Sequence, residues 1–355
     1  MQPQSLVKQQ TTMLSRHSKN MDTNKKIFNV AIVGCGTIAP NHIYSLLLCD
    51  CIRIVALCDI NRERAEKCKQ AFDLSAKIYT DYTEMIDSEV IDAVHIATPH
   101  YLHADMTVAA LRKGINVFLE KPMCISEDEI THLLEEERKS SAKVCVCFQN
   151  RFTSAVIKAL EIAEKDGGAM TAYFSVFWKR DKEYYTQSGW RGSYTTEGGG
   201  VMINQAIHSL DLLTCFLGIP KSVTATKSNH HLQGVIEVED TCEGLINFES
   251  GATANFYATT AASGKDFTTV CVSTKNHVIE IKLPNLVVDG EYVECDKEIL
   301  PIGKECYGDG HIKIIRMFYD SLLADTTVPV SLESAQHAVK ILLSAYKSNN
   351  RETII

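Results

Sequence analysis

The chain has 355 residues, 45% hydrophobic and 23% charged, which excludes a disordered, collagen-like or low-complexity protein. Lys and Arg number 36 against 44 Asp and Glu, for a net charge of −8. That balance argues against a nucleic-acid partner, because covering phosphate backbones takes a basic surface. No run of 18 apolar residues exists, so no membrane-spanning helix is expected. The length suggests about two domains.

Residues 1–26 are polar and lack the apolar stretch of a secretory signal, so we expect a flexible N-terminal extension and a cytoplasmic protein. The 13 cysteines are scattered and none forms a CxxC pair. They read as small buried side chains in a reducing compartment, with no metal expected.

Residues 27–150 alternate strand and helix signals. Strands are expected at 28–33, 53–57, 93–97, 116–119 and 144–148. Helices are expected at 38–48, 62–72, 103–113 and from the capping box Ser126–Glu129 to about 140. Near-continuous apolar strands, each followed by a helix, predict a doubly wound parallel sheet. Residues 151–355 change pattern. A helix at 154–165 and a strand at 172–178 lead to a Gly-rich segment and a helix at 207–217. Five strand-like stretches follow directly, at 222–227, 241–248, 252–260, 267–273 and 278–283. Helices at 312–324 and 331–349 finish the chain. Strand-to-strand succession predicts an α+β domain on an open, mostly antiparallel sheet.

The first strand runs into Gly34-Cys-Gly36-Thr37-Ile38-Ala39. Gly34 suits the tight turn, Gly36 admits a pyrophosphate at the helix N-terminus, and Ala39 lets helix and strand pack closely. Asp59 ends the second strand, 23 residues after Gly36. Its carboxylate would bind an adenosine ribose and repel a 2′-phosphate, which favours NAD over NADP.

Ala97-Thr98-Pro99-His100-x-x-His103, followed by Glu120-Lys121-Pro122, resembles the glucose–fructose oxidoreductase/inositol dehydrogenase/MocA (Gfo/Idh/MocA) family. The resemblance covers essentially everything after residue 26. It implies a Rossmann domain holding NAD through Gly34, Gly36, Thr37, Ile38, Asp59, Thr98, Pro99, His100, His103, Glu120, Lys121 and Gln149. It also implies that Lys121 is catalytic, contacting the nicotinamide ribose and the reacting hydroxyl.

Downstream come Trp190-Arg191-Gly192, Glu197-Gly-Gly-Gly200 and Asn204-Gln205-x-x-His208-x-x-Asp211. At helical spacing Asn204, His208 and Asp211 share a face and would converge on a site. Many relatives carry Asp four residues before the His. Asn204 cannot hold a charge, which leaves His208 as sole general base. Aromatics mixed with cations suit sugars, so Arg180, Tyr185, Trp190 and Arg191 are candidate substrate contacts, and the resemblance implies Lys121, Asn204, Gln205, His208 and His311 as further ones. This version resembles family members that oxidise a sugar C3 hydroxyl, including glycoside 3-oxidising types. The expectation is therefore an NAD-dependent sugar or glycoside dehydrogenase that forms a homo-oligomer. Two alternatives stay open: a glycosidase working through transient C3 oxidation and elimination, and a non-catalytic NAD and sugar sensor.

Overall fold

The computed structural model describes residues 26–296, 302 and 308–355. Residues 1–25 of the expected extension lie outside them.

The N-terminal half is a six-stranded parallel sheet. In chain order its elements are β1 (Phe28–Val33), α1 (Ala39–Leu47), β2 (Ile52–Cys58), α2 (Arg62–Ala71), β3 (Lys77–Tyr79), α3 (Tyr82–Ser88), β4 (Ala93–Ile96), α4 (His103–Arg112), β5 (Asn116–Leu119), α5 (Glu127–Lys139) and β6 (Val144–Val146). The strand order is β3-β2-β1-β4-β5-β6. β4 and β6 are buried along their whole length, as strands covered on both faces must be. The helix starts follow from local chemistry: Asn61, Asp81 and Ser126 each accept a backbone N–H of the first turn, and Ser126 and Glu129 close a capping box. The order reverses between β1 and β4, so the crevice beyond their carboxyl ends is the place for a ligand.

The second half contains α6 (Ser154–Lys165), β7 (Ala169–Phe177), α7 (Lys182–Thr186), α8 (Ile207–Leu217), β8 (Pro220–Ser228), β9 (Thr241–Phe248), β10 (Thr253–Thr259), β11 (Phe267–Thr274), β12 (Val278–Lys282), β13 (Asn285–Val288), β14 (Glu291–Val293), α9 (Gly310–Leu323), α10 (Leu332–Ser348) and β15 (Thr353–Ile354). Nine strands form one open sheet in the order β14-β13-β12-β11-β7-β10-β9-β8-β15. Only β7 and β10 pair in parallel. Helices α6, α8 and α10 pack against one face. The other face is left open, with Tyr173, Tyr257 and Phe267 exposed.

Some elements escape the sequence pattern. β3, β13, β14 and β15 are two to four residues long, too short for an alternation to register. The chain also does not end on a helix, because β15 returns to pair with β8. Residues Met202–Ala206 form a π-helical turn before α8, and this turn matters for the site. The C-terminal helices come back to the nucleotide-binding half: α9 packs on α1, and Val146 N–H donates to Val330 O at 2.9 Å.

Candidate active site

The glycine turn is built for close approach. Gly34 has φ +90°, and a Cβ there would stand 2.3 Å from the Ala97 carbonyl oxygen. A Cβ on Gly36 would meet nothing within 4 Å, so the turn leaves open ground above Gly36 at the N-terminus of α1. Thr37 is exposed and Ile38 half-buried beside it. Asp59 is 7% exposed; its carboxylate accepts from Cys35 N at 2.9 Å and from Asn61 N at 2.8 Å. It therefore stands against the glycine turn, where a ribose would reach it. Arg64 approaches it to 4.0 Å. These residues fit a dinucleotide.

Across the crevice, His103 is fixed by two main-chain carbonyls, Pro122 O at 2.6 Å and Thr98 O at 2.9 Å. Burial lowers its pKa, so the neutral ring donates to one of the two carbonyls and faces the other; wedged between the Thr98-Pro99 and Lys121-Pro122 segments, both nitrogens point at protein and not at a ligand. This corrects the expectation of a direct cofactor contact. His100 is likewise tied, through Nδ1, to Glu197 O at 2.8 Å, and its ring meets the edge of Trp190.

Glu120 and Lys121 follow β5. Burial opposes ionisation of Glu120, but the hydrogen bond and charge of His42 outweigh it and hold the carboxyl well below its usual range. His42 Nε2 lies 2.9 Å from Glu120 Oε1, His42 Nδ1 lies 2.9 Å from His95 Nδ1, and His95 Nε2 lies 2.9 Å from the Tyr319 hydroxyl. A carboxylate only accepts, so His42 must donate from Nε2. Burial holds His95 neutral, so its ring carries one N–H to share between His42 and Tyr319. One buried chain thus runs from α9 to Glu120. The donor atoms of His42, Glu120 and Cys147 lie within 4.8 Å of one another, a spacing that would admit a cation. Burial keeps the Cys147 thiol protonated and His42 already donates to Glu120, so hydrogen bonding alone accounts for the group.

Lys121 is lowered from its ordinary pKa by burial, against the opposing charges of Glu120 and Glu197. Its Nζ donates to the Asn204 main-chain oxygen at 3.1 Å. His208 opens α8. Its ring is half-buried, yet Nδ1 is enclosed and has no hydrogen-bond partner among the described residues. Burial pushes its pKa down to about 3, with Lys121 adding to the effect and Glu120 opposing it. His311 stands on α9, its ring 6.2 Å from that of His42, and burial pushes it down to about 4. Lys121, His208 and His311 thus come together around Glu120.

The substrate end differs from expectation in three places. Tyr185 is 4% exposed and packs with Leu232, Ile236 and Val238 in a small apolar cluster, so it is a packing residue. Its neighbour Tyr184 faces the site: its hydroxyl lies 3.3 Å from Asn204 Nδ2, and its ring is sandwiched between the Arg191 and Arg180 guanidinium groups at 4.5 and 4.9 Å. Asp211 does not converge with Asn204 and His208. It is fully buried and takes a bidentate pair of bonds from Arg151 at 2.7 and 2.5 Å, while Arg151 also donates to Ser334 at 2.8 Å. The π-helical turn over Met202–Ala206 breaks the 3.6-residue period between Asn204 and Asp211. Third, Arg180 is bound to Asp266 at 3.1 Å and stacked on Trp178, which places it at the rim. Trp190 and Arg191 stack on each other beside Tyr184. Gln205 is buried with Oε1 unpartnered among the described residues. Gln149 is buried, and its carbonyl would stand 2.2 Å from a Cβ on Gly310, so it supports the start of α9.

Residues 28–148 match the family model described as "Oxidoreductase family, NAD-binding Rossmann fold", and residues 162–279 match the "GFO/IDH/MocA C-terminal domain". Together these cover more than half of the chain. The chain belongs to the Gfo/Idh/MocA family. Within that family it is similar to D-apiose dehydrogenase of Paraburkholderia graminis, 27% identical over 65% of this chain and 60% of that enzyme. It is also similar to D-glucoside 3-dehydrogenase of Escherichia coli K12, 26% identical over 62% of this chain and 67% of that enzyme. Among solved structures, WlbA dehydrogenase from Bordetella pertussis, in complex with NADH and UDP-GlcNAcA, shares the fold: TM-score 0.81 at 23% identity, over 94% of this chain and 98% of that one.

Three site residues lie outside the sequence reading of this Gfo/Idh/MocA chain. Glu197 was quoted in a motif without a role, yet its carboxylate holds Asn204 at 2.5 Å. Glu239 accepts from Gly200 N and Met202 N at 3.0 and 3.1 Å and fixes the triple-glycine loop; a Cβ on Gly200 would clash with its main-chain oxygen. His42 sits one turn into α1. His42 and Glu239 act on residues 78 and 39 positions away and lie in no local motif, while the motif around Glu197 does not itself reveal the bond to Asn204.

Proposed function

We propose that this protein is an NAD-dependent sugar or glycoside dehydrogenase that oxidises a secondary hydroxyl, at C3, to the ketone. The observation that carries the reading is the half-buried ring of His208, its Nδ1 enclosed and without a partner among the described residues, within electrostatic reach of Lys121. Kept neutral by burial, the ring has a nitrogen lone pair to accept the hydroxyl proton. Lys121 stabilises the developing alkoxide with its ammonium group. Asn204, Gln205, Tyr184, Trp190 and Arg191 offer hydrogen bonds and stacking faces for a sugar ring. NAD, when bound, accepts the carbinol hydride. Gly34, Gly36 and Asp59 would hold its pyrophosphate and adenosine ribose, with Lys121 near its nicotinamide ribose. The position C3 is supported by the likeness to D-glucoside 3-dehydrogenase.

We also infer a homo-oligomer built on the open sheet face, where Phe177 stacks on Tyr257 and Phe267. Among the described residues no helix is long and apolar enough to cross a membrane, and none of the twelve described cysteines is in a disulfide, which supports a reducing, cytoplasmic setting.

The test is a panel of free sugars and methyl glycosides with NAD, followed by nicotinamide absorbance and by mass spectrometry of the sugar. Formation of NADH with a 3-keto product is the expected result. Release of aglycone without net NADH would replace this reading with the transient-oxidation glycosidase.

A further inference from the structure

Glu197 is 1% exposed and is the buried carboxylate nearest the sugar-facing residues. Its Oε2 accepts from Gly192 N at 2.6 Å, and its Oε1 takes a hydrogen bond from Asn204 Nδ2 at 2.5 Å. The second donor of the same amide faces the Tyr184 hydroxyl at 3.3 Å. An ionised carboxylate has no proton to donate, so Asn204 must present its NH2 to Glu197. Both amide donors are then committed, and Oδ1 is the atom left for a ligand. Lys121 Nζ donates to the main-chain oxygen of the same residue, which sets Asn204 beside the hydroxyl that is to react.

We propose that Glu197 is a positioning residue that turns Asn204 into a pure acceptor, so that the site selects sugars carrying a free hydroxyl next to the one oxidised. This rests on the dehydrogenase reading above. The departure from Asp to Asn before the histidine is thereby answered within the fold: the carboxylate sits one contact further out and fixes the amide instead of touching the substrate.

The groups facing Glu197 are Arg191, Lys121, Tyr184, Tyr185, Glu239 and His100. Burial pushes the Glu197 carboxyl up to about 7, against the bonds from Gly192 and Asn204. Below that pH the protonated carboxyl donates, the amide turns over, and Asn204 offers NH2 in place of oxygen. The acceptor role therefore belongs to the alkaline side of about 7.

The experiment has two arms. The first follows the Asn204 side-chain amide by ¹⁵N NMR without substrate, assigned by its loss in Asn204→Ala. Its two protons should shift with a midpoint near 7 in the parent and lose that response in Glu197→Gln. An amide that ignores pH in the parent overturns the proposal. The second arm measures NAD-dependent oxidation of methyl β-D-glucopyranoside and its 2- and 4-deoxy and deoxyfluoro analogues. At one of these positions both replacements should raise KM at least about tenfold with kcat little changed, since fluorine accepts but cannot donate. Glu197→Gln should raise KM for the parent sugar, erase that discrimination and remove the acid limb of kcat/KM. A fluoro analogue that behaves like the parent sugar, or a Glu197→Gln enzyme that keeps both discrimination and limb, overturns it. If no glycoside is oxidised the dehydrogenase reading falls, and the amide titration still decides the role of Glu197.

Discussion

Lys121 and His208 carry opposite protonation requirements in one enclosed space. In the proposed mechanism Lys121 is charged to polarise the reacting oxygen, and the Glu120 and Glu197 carboxylates oppose the burial that would neutralise it. His208 must be neutral, and burial keeps it so down to about pH 3. Lys121→Ala should therefore lose at least about a hundredfold in kcat with the fold intact by circular dichroism, the scale of removing one oxyanion-type donor. The pH profile changes meaning as well. The sequence reading places the acid limb of oxidation on His208. With its pKa near 3, the base is already deprotonated across the neutral range, so the rate contributed by His208 is flat there. A limb near 7 belongs to Glu197. His208→Asn should abolish oxidation while leaving any residual activity with that limb, read from kcat/KM against pH. Asn204→Asp would place a second carboxylate against Glu197, and repulsion should move the limb upward.

At the scale of elements, the buried chain Tyr319–His95–His42–Glu120 links α9, β4 and α1 to the catalytic turn after β5. Tyr319→Phe keeps the ring that packs on Phe28 but leaves His95 Nε2 without its partner. It should cost about 1–3 kcal/mol, the desolvation penalty of one orphaned buried polar group, measured by urea unfolding at unchanged m-value. The glycine turn and Asp59 are legible in sequence because their chemistry follows from spacing along one strand–turn–helix unit, and the Glu-Lys-Pro turn is legible because its short local motif carries the family resemblance. Tyr185, Asp211 and His103 mislead for physical reasons. In the short α7 neighbouring tyrosines stand about 100° apart round the axis, so Tyr184 and not Tyr185 lies beside Asn204. The π-helical turn before α8 shifts the face that a regular helix would present. The His103 ring is taken up between Thr98 O of its own motif and Pro122 O, 19 residues on. Glu197 lies within a visible motif, but its partner Asn204 is reached only after the triple-glycine loop folds back onto Glu239.

Across the whole molecule, two open surfaces invite tests. The crevice at the β1–β4 switch point should favour NAD: the enclosed Asp59 carboxylate repels a 2′-phosphate, and the nearby Arg64 is half-exposed to solvent screening. Calorimetry should show NADP binding at least about tenfold weaker, and Asp59→Ala should narrow that gap. The uncovered sheet face should pair with a second copy. Tyr173→Arg combined with Phe267→Glu should lower the mass measured by light scattering while leaving NAD affinity unchanged; a parent protein that is already monomeric would rule out that interface. The central claim is hydride transfer from C3 of a glycoside with His208 as base, and isotope tracing tests it most directly. Methyl β-D-glucopyranoside deuterated at C3 is incubated with NAD and the enzyme, and the nicotinamide is examined by mass spectrometry. The account predicts reduced cofactor carrying the deuterium, with none formed by His208→Asn. Unlabelled NADH, or deuterium transfer undiminished in His208→Asn, would contradict it.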